Sequence, residues 1–287
     1  MRLRAALLAL LALLLTACAG PASSAPEVSV SGEPGSKPIL TYVAPLDPGR
    51  TYRSTIWPGT GPELRDGEPV LLNYWVENAR TATVVAESYS ASPVTRELTP
   101  AALGADLYRT LSGARIGARL LQVSPPGNGA GNDVPTVTVV DVLSLRATGQ
   151  PVNPPQGLPT VKLAADGAPT LTPTGTDPPS SLVAQPLIRG SGRQVTRSDT
   201  VTVQYVGFSW KTGEAFDSTW SRGSPSSFSL VDVPAWSDGL ADQPVGSQLL
   251  LVVPPTYALG ATKSQELSGQ TVVFVVDILA VAAGGSS

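Results

Sequence analysis

The chain has 287 residues, charged residues at 14% and a formal net charge of −3, a balance that argues against a nucleic-acid surface and a polybasic membrane patch. It contains no histidine and one cysteine, which removes the common thiol, imidazole and zinc chemistries and any disulfide within the chain. We therefore expect no metal, no cofactor and no nucleic-acid partner.

The first residues predict an exported protein. Two arginines stand within the first four residues, and an unbroken Ala/Leu run follows from Ala5 to Leu15. This run has the length of a signal-peptide core and is shorter than the ~20 residues of a spanning helix. The ending Leu-Thr-Ala-Cys18 resembles the bacterial lipobox, which implies cleavage after residue 17 and acylation of Cys18. The alternative is an ordinary secreted protein in which Cys18 is incidental.

After a small, polar tether at 18–26, the sequence repeats itself. Gly59-Thr60-Gly61 and the strand ending in Tyr74 return as Gly190-Ser191-Gly192 and a strand ending in Tyr205, about 130 residues later. A Pro-rich stretch at 148–159 separates the copies and is predicted to be a linker. The expected organisation is therefore a signal peptide at 1–17, the tether at 18–26, a first domain at 27–147, the linker at 148–159 and a second domain at 160–287.

The 28 glycines and 28 prolines, with Val-rich alternating stretches, are typical of a protein built from strands and turns. Strands are predicted at 201–207, 248–253 and 271–281. One helix is predicted at 234–243, where a proline begins the segment and Trp236 and Leu240 share a face. Segments 28–42 and 160–187 are expected to add edge strands. This pattern favours an α+β class, with a sheet packed on one short helix in each domain.

Within the second copy, an ordered series of motifs resembles the FKBP-type peptidyl-prolyl cis-trans isomerases from about 190 to 281. The motifs are Val203-Gln204-Tyr205-Val206-Gly207, Gly213-Glu214-Ala215-Phe216-Asp217-Ser218-Thr219, Arg222-Gly223, Phe228, Val233-Pro234-Ala235-Trp236, Val245-Gly246, Pro255-Thr256-Tyr257-Ala258-Leu259-Gly260 and Val273-Phe274. The resemblance implies two FKBP-like domains, each a curled antiparallel sheet around one short helix, with a shallow aromatic pocket in the second.

The resemblance also assigns the pocket residues. Trp236 is expected to form the floor beneath a substrate proline ring. Asp217 is expected at the rim, and the backbone N–H of Val233 is expected to be available to a substrate carbonyl. The full set of expected catalytic residues is Tyr205, Phe216, Asp217, Val233, Trp236, Tyr257 and Phe274.

Three further residues are assigned to substrate binding by the same resemblance, and they are Arg222, Phe228 and Leu259. Arg222 is expected to pair with Asp217. Leu259 departs from the family, which usually has a second tyrosine there, so weaker ligand binding is expected.

The first copy keeps a tyrosine, Tyr74, but lacks the other pocket residues. Leu107 stands at the position of Trp236, and Thr138 stands at that of Phe274. An aromatic floor and most of a wall are therefore missing. We expect this domain to keep the fold without isomerase activity.

The sequence thus predicts a monomeric, lipid-anchored, extracytoplasmic prolyl isomerase at the bacterial cell membrane, with proline-containing exported polypeptides as substrates. A different hypothesis is a non-catalytic binding or chaperone module, which the departure at Leu259 and the degenerate first copy keep open. A third is a structural lipoprotein of the envelope that has no substrate.

Overall fold

The structure is a computed structural model that describes residues 25–127, 133–257 and 269–284. Two predicted functional residues, Cys18 and Leu259, lie outside these ranges, as does the predicted signal peptide. None of the helices within the described ranges combines the length and apolar character needed to cross a bilayer.

The N-terminal part consists of a hairpin and a six-stranded antiparallel sheet, here called the N-sheet. The hairpin pairs β1 (Ser29–Ser31) with β2 (Ile39–Thr41). The strands of the N-sheet are β3 (Tyr52–Pro58), β4 (Pro69–Asn78), β5 (Thr83–Glu87), β6 (Val94–Glu97), β7 (Ala118–Ser124) and β8 (Thr136–Leu143). They run in the order β3-β7-β8-β4-β5, and β6 also pairs with β4. Helices α1 (Pro100–Leu103) and α2 (Ala105–Leu111) lie between β6 and β7 in the chain.

The C-terminal part repeats this plan in a seven-stranded antiparallel sheet, here called the C-sheet. A short strand, β9 (Gln150–Pro151), and a hairpin of β10 (Thr160–Leu163) and β11 (Pro169–Thr172) come first. The remaining strands are β12 (Val183–Arg189), β13 (Thr200–Ser209), β14 (Ala215–Ser218), β15 (Ser226–Ser229), β16 (Gln248–Val253) and β17 (Val272–Ala282). Helix α3 (Thr219–Arg222) follows β14, and helix α4 (Pro234–Leu240) follows a single 3₁₀ turn at Leu230–Asp232.

The two sheets share one topology. The C-sheet order is β14-β13-β17-β16-β12-β9, with β15 on β13, so β12 to β17 correspond in sequence order to β3 to β8. Central strands β4 and β13 each have ten residues, and helices α2 and α4 each have seven. The repeat seen in the sequence is therefore a repeat of structure.

Each sheet is covered on both faces, which explains the nearly continuous apolar runs of its central strands. On the inner face of the C-sheet, Trp236 and Leu240 of α4 pack into one buried cluster with Val203 and Leu249. On the outer face, Leu171 of the hairpin joins a second cluster with strand residues of the sheet. Hairpin β1–β2 covers the outer face of the N-sheet in the same manner.

The structure corrects three predictions about the elements. The strands and the helix predicted at 201–281 are present as β13, β16, β17 and α4, but the described residues contain two α-helices beside each sheet instead of one. Segments 28–42 and 160–172 form hairpins across the outer faces, because each is long enough to turn back and bury apolar side chains there. Within the segment predicted at 160–187, only the part that forms β12 joins the C-sheet, where β12 lies between β16 and β9.

The stretch predicted as a linker is held against the C-sheet from its first residue. The Thr148 N–H donates to the Gly246 carbonyl at 3.0 Å, and β9 pairs with β12. The Val152 N–H donates to the Leu187 carbonyl at 2.8 Å. The segment contains strand β9, and backbone hydrogen bonds attach it to the edge of the C-sheet.

A row of buried polar side chains crosses the outer face of each sheet. In the N-sheet, Arg119 and Asp141 form an ion pair with two hydrogen bonds of 2.7 Å each, and Arg119 also donates to carbonyls of the β1–β2 loop. In the C-sheet the corresponding pair is Gln248 and Asp277, joined by one hydrogen bond of 2.7 Å. Asp277 also accepts a hydrogen bond from the Ala147 N–H at 2.8 Å.

Candidate functional site

Five aromatic rings meet on the inner face of the C-sheet. Trp236 lies at the centre, with ring centroids 4.9 Å from Phe228, 5.2 Å from Tyr205 and 5.5 Å from Phe274. Phe216 extends the group through Phe274, at 5.7 Å. All these contacts are edge-to-face, the arrangement in which the positive edge of one ring meets the negative face of another. The structure therefore brings together Trp236, the predicted floor, with the predicted catalytic residues Tyr205, Phe216 and Phe274 and with Phe228.

The backbone fixes where these rings point. Tyr205 on β13 lies opposite Val276 on β17, and Gly207 lies opposite Phe274. Residues two apart on a strand share a face, so Tyr205 and Gly207 both face α4. Pro234 begins α4 and places Trp236 in its first turn, where a proline lacks only an N–H that would be unpaired anyway.

The rings are buried to different degrees. Trp236 keeps 4% of its surface exposed, Phe274 keeps 6% and Tyr205 keeps 9%, whereas Leu249 in the same cluster keeps none. Phe216 is 38% exposed. The cluster thus runs from a buried floor at Trp236 to an open edge at Phe216.

Gly207 makes room for two of these rings, a role that the sequence analysis did not assign. A Cβ at this position would lie 2.6 Å from Cζ of Phe216 and 2.9 Å from Cε1 of Phe274. Real Cβ atoms do not approach that closely, so any side chain here would displace the rings. The signal in the sequence was the glycine at the end of the strand motif, inside a run that is otherwise β-branched and aromatic.

Polar groups close the rim beside Tyr205. The Tyr205 hydroxyl donates to Oδ2 of Asp217 at 2.5 Å and accepts from Nη2 of Arg222 at 3.1 Å. Arg222 also forms an ion pair with Asp217, and its guanidinium lies 5.5 Å from the Tyr205 ring centroid. The predicted pair of Asp217 and Arg222 is present, with Tyr205 as its third member.

The triad of Tyr205, Asp217 and Arg222 keeps one protonation state near neutral pH. Burial, and then the hydrogen bond to Asp217, raise the pKa of Tyr205. Partial burial opposes ionisation of Asp217, but hydrogen bonds from Tyr205 and Arg222 outweigh it and hold the pKa of Asp217 below its ordinary value. The hydrogen bond to Asp217 raises the pKa of Arg222. Tyr205 therefore stays a neutral donor, and Asp217 stays a carboxylate.

A buried hydroxyl locks the Tyr205 backbone. Oγ1 of Thr219 accepts from the Tyr205 N–H at 2.8 Å and donates to the Tyr205 carbonyl at 3.1 Å. In the N-sheet, Oγ of Ser88 accepts from the Tyr74 N–H at 2.9 Å. Neither role was predicted from the sequence, although Ser88 and Thr219 are separated by the same number of residues as Tyr74 and Tyr205.

The prediction about Val233 needs a correction. Its N–H donates to the Leu230 carbonyl at 3.2 Å, because the 3₁₀ turn before α4 uses this donor to close itself. A substrate carbonyl must therefore share or replace that bond. Tyr257 is present as predicted, half-buried against the cluster that contains Trp236. Leu259 lies outside the described residues.

The matching place in the N-sheet lacks this constellation. Tyr74 is retained, but Leu107 of α2 occupies the position that corresponds to Trp236, and Thr138 occupies the position that corresponds to Phe274, as predicted. The register of β4 and β5 puts Ala86 where the C-sheet has Asp217. Val76 replaces Gly207, so its side chain takes part of the space that two rings occupy in the C-sheet.

The described residues of the C-sheet site supply five aromatic rings and the polar side chains of Asp217 and Arg222. The site therefore offers aromatic surface, a fixed carboxylate and a fixed guanidinium. Across the described ranges, no group of three or more His, Cys, Asp or Glu residues is placed to hold a metal ion.

Comparison with known proteins agrees with this description. Residues 191–279 match the family model described as FKBP-type peptidyl-prolyl cis-trans isomerase. A probable FK506-binding protein of Corynebacterium glutamicum is 40% identical over 103 residues, which are 35% of this chain and 87% of the relative. The FK506-binding protein of Streptomyces anulatus is 34% identical over 113 residues, 37% of this chain and 91% of the relative. FkpA of Escherichia coli K12 is 38% identical over 104 residues, 36% of this chain and 38% of the relative.

The fold and the matched region define an enzyme of the peptidyl-prolyl isomerase class. The chain belongs to the FKBP-type peptidyl-prolyl cis-trans isomerase family, through the part that contains the C-sheet.

Proposed function

We propose that the chain isomerises X-Pro bonds of exported polypeptides through the aromatic cluster around Trp236. The single observation that carries this proposal is the convergence of Tyr205, Phe216 and Phe274 with Trp236, in the region that matches the family. The proline ring of the substrate is proposed to sit on Trp236, with the neighbouring rings as walls. Arg222 and Asp217 keep the open side polar.

The physics of the reaction fits such a site. Rotation about an X-Pro amide meets a barrier of about 18–20 kcal/mol, and no covalent bond breaks. The planar amide is strongly dipolar, and water stabilises it, whereas the twisted amide has lost its resonance and is less dipolar. A water-poor aromatic surface therefore favours the twisted form relative to the planar one. Each ~1.4 kcal/mol of this preference accelerates the reaction tenfold.

We further propose where and how the protein works. Residues 1–17 are the signal peptide, and Cys18 carries the lipid that anchors the chain outside the cytoplasm. The two sheets are the cores of two domains, at 27–147 and 160–287, and the protein is a monomer. The repeated topology and the hydrogen bonds between 148–152 and the C-sheet support this division, with the connecting segment packed onto the second domain.

The catalytic proposal is tested by a proline-limited refolding assay, with the chain beginning at Ala19. Trp236→Ala should remove at least nine-tenths of the acceleration, because the ring that carries the substrate proline is lost. Trp57→Ala is the matched control, since Trp57 is a 45% exposed tryptophan on β3 of the N-sheet. Equal acceleration by the wild-type chain and by Trp236→Ala would refute the proposed site.

The location is tested separately. Cells that express the full chain should incorporate labelled palmitate into it, and Cys18→Ser should abolish the label and release the protein from membranes. Label that persists in Cys18→Ser would contradict the proposed anchor.

A non-catalytic binding module is the second candidate, and the Val233 N–H favours it. That donor is engaged with Leu230 in this structure, so the pocket has one group fewer for a twisted substrate. This candidate predicts binding of unfolded chains without acceleration in the same refolding assay. Two of the relatives are named as FK506-binding proteins. If catalysis occurs in the pocket, FK506 should block the acceleration.

A further inference from the structure

A cavity of about 510 Å³ lies between the N-sheet and helices α1 and α2. Its volume is within the range of small-molecule and side-chain sites, ~300–1,000 Å³. Tyr74 and Leu107 line it, so it occupies the place that the aromatic cluster occupies beside the C-sheet. Loss of the aromatic residues has left an open site in the N-sheet.

The floor of this cavity is polar, unlike its counterpart. The residues that line it from β7 and β8 include Gln122, Ser124, Thr136 and Thr138. By strand register, the matching residues of the C-sheet are Leu251, Val253, Val272 and Phe274. At all four positions the N-sheet therefore has a polar residue where the C-sheet has an apolar one. A fold that merely kept its packing would retain apolar residues there, since buried polar groups cost free energy unless they are hydrogen-bonded.

Several of these polar groups have no hydrogen-bond partner among the residues that the structure describes. Nε2 of Gln122 donates to Oγ of Ser124 at 2.9 Å, and Oε1 of Gln122 accepts from Oγ1 of Thr110, so the Gln122 amide is engaged at both atoms. The hydroxyls of Tyr74, Thr136 and Thr138 make no hydrogen bond to any described residue. Thr136 is only 5% exposed. Oε1 of Gln204 is the only buried side-chain nitrogen or oxygen atom without a partner among the described residues, so these three hydroxyls are reached from the open cavity, where a ligand can form hydrogen bonds with them.

The charge at the cavity mouth is positive. Arg96 lines the cavity and stands on β6 at the position that Phe228 has on β15. Its guanidinium donates to the Thr95 carbonyl at 2.9 Å, and no carboxylate of the described residues pairs with it. Asp106 also lines the cavity, but Arg53 neutralises it at 2.8 Å. The charge left for a ligand to neutralise is that of Arg96.

We propose that this cavity is a second polypeptide-binding site, which receives an acidic side chain of a client. The client carboxylate binds the Arg96 guanidinium, and the Thr136 and Thr138 hydroxyls, which lie farther along the sheet by strand register, donate hydrogen bonds to backbone carbonyls of the same inserted segment. Apolar walls that include Leu72 and Val76 contact the rest of the inserted segment. A carboxylate alone would leave most of the 510 Å³ unfilled, which favours a polypeptide over a small anion.

This site goes beyond the proposed isomerase function and requires no activity in the C-sheet. If both sites bind one client, the first raises the effective concentration of its prolines near the second. The inference therefore assigns the N-sheet part a role in client capture.

The test measures binding of labelled, unstructured peptides that differ only in one central residue, which is Glu, Gln, Leu or Pro. The protein is the chain from Ala19 with Trp236→Ala, so that the C-sheet pocket does not contribute. We expect the Glu peptide to bind most tightly. Arg96→Gln should weaken it about tenfold, because a charge-assisted hydrogen bond is lost, and Thr138→Val, which preserves side-chain shape, should weaken it a few-fold.

Arg65→Gln is the matched control, because Arg65 is a surface arginine of the same part with 79% of its side chain exposed, outside the cavity lining. It should leave the affinity unchanged. The proposal is overturned if the Glu, Leu and Pro peptides bind equally, if no peptide binds, or if Arg96→Gln has no effect. Free glutamate that competes as well as the peptide would show a small-anion site and would also overturn it. Failure of the isomerase proposal appears independently, in the refolding assay of the wild-type chain.

Discussion

The pH dependence of stability should be controlled by Asp277, whose carboxyl group is buried on the outer face of the C-sheet. Its two oxygens accept hydrogen bonds from Gln248 and Ala147, but no cation of the described residues forms an ion pair with it. Burial raises its pKa from 3.8 to about 6, although these hydrogen bonds and the more distant charge of Arg146 act in the opposite direction. The chain has no histidine, so few other groups titrate near this pH.

The direction follows from the raised pKa. Between about pH 4 and pH 6 the folded chain holds a proton on Asp277 that the unfolded chain has released, so the free energy of unfolding falls as pH rises through this window. The pKa of Asp277 differs by about two units between the folded and the unfolded chain, and this difference corresponds to at most about 3 kcal/mol of stability. Above the pKa that Asp277 has in the folded chain, its carboxylate is ionised, and the free energy of unfolding stays lowered by the full cost of burying that charge.

Asp277→Asn removes the titration and keeps the size of the side chain. Urea unfolding of the wild-type chain and of this variant, each measured at about pH 4 and pH 7.5, gives the test. The variant should gain stability relative to wild type as pH rises, by up to about 3 kcal/mol. The amide can also donate toward Oε1 of Gln204, which lies on the neighbouring strand and is buried without a partner among the described residues.

The comparison between the two pH values does not depend on how well the asparagine packs, because any packing defect appears at both. A stability difference that is the same at both pH values, or that changes in the opposite direction, would refute the reasoning.

Two other variants test the packing that carries the site. Gly207→Ala should displace Phe216, whose Cζ would lie 2.6 Å from the new Cβ. We expect a roughly tenfold loss of isomerase activity, or about 1.4 kcal/mol. The melting temperature should change little, because Phe216 is 38% exposed and can move outward. Unchanged kcat/KM would contradict that account. Arg119→Met should cost about 3–5 kcal/mol in urea unfolding, because it leaves Asp141 buried without its cation. The double variant Arg119→Met/Asp141→Leu should recover most of this loss, and no recovery would exclude an uncompensated charge as the cause.

Much of the C-sheet site was predictable because its residues occur in a fixed order along the chain. Trp236, Phe274 and Tyr205 were assigned from that order, and the structure brings their rings within 6.0 Å of one another. Gly207 was not assigned, since its function is to be small beside two rings that are remote in sequence. The Val233 N–H was predicted to be available to a substrate carbonyl, and the sequence did not reveal its bond to the Leu230 carbonyl, because the 3₁₀ turn that forms this bond depends on how the chain enters α4.

The sequence by itself determined the repeat, the central strands, the helix that carries Trp236 and the loss of aromatic residues from the first copy. These features follow from local periodicity and from the spacing of residue types along the chain. Only the tertiary structure decided that segments 28–42 and 160–172 cover the outer faces, that Asp277 is buried without a cation, and that four polar residues of β7 and β8 line one cavity. The reason is that burial and pairing depend on which strands become neighbours, and residues distant in sequence set that arrangement.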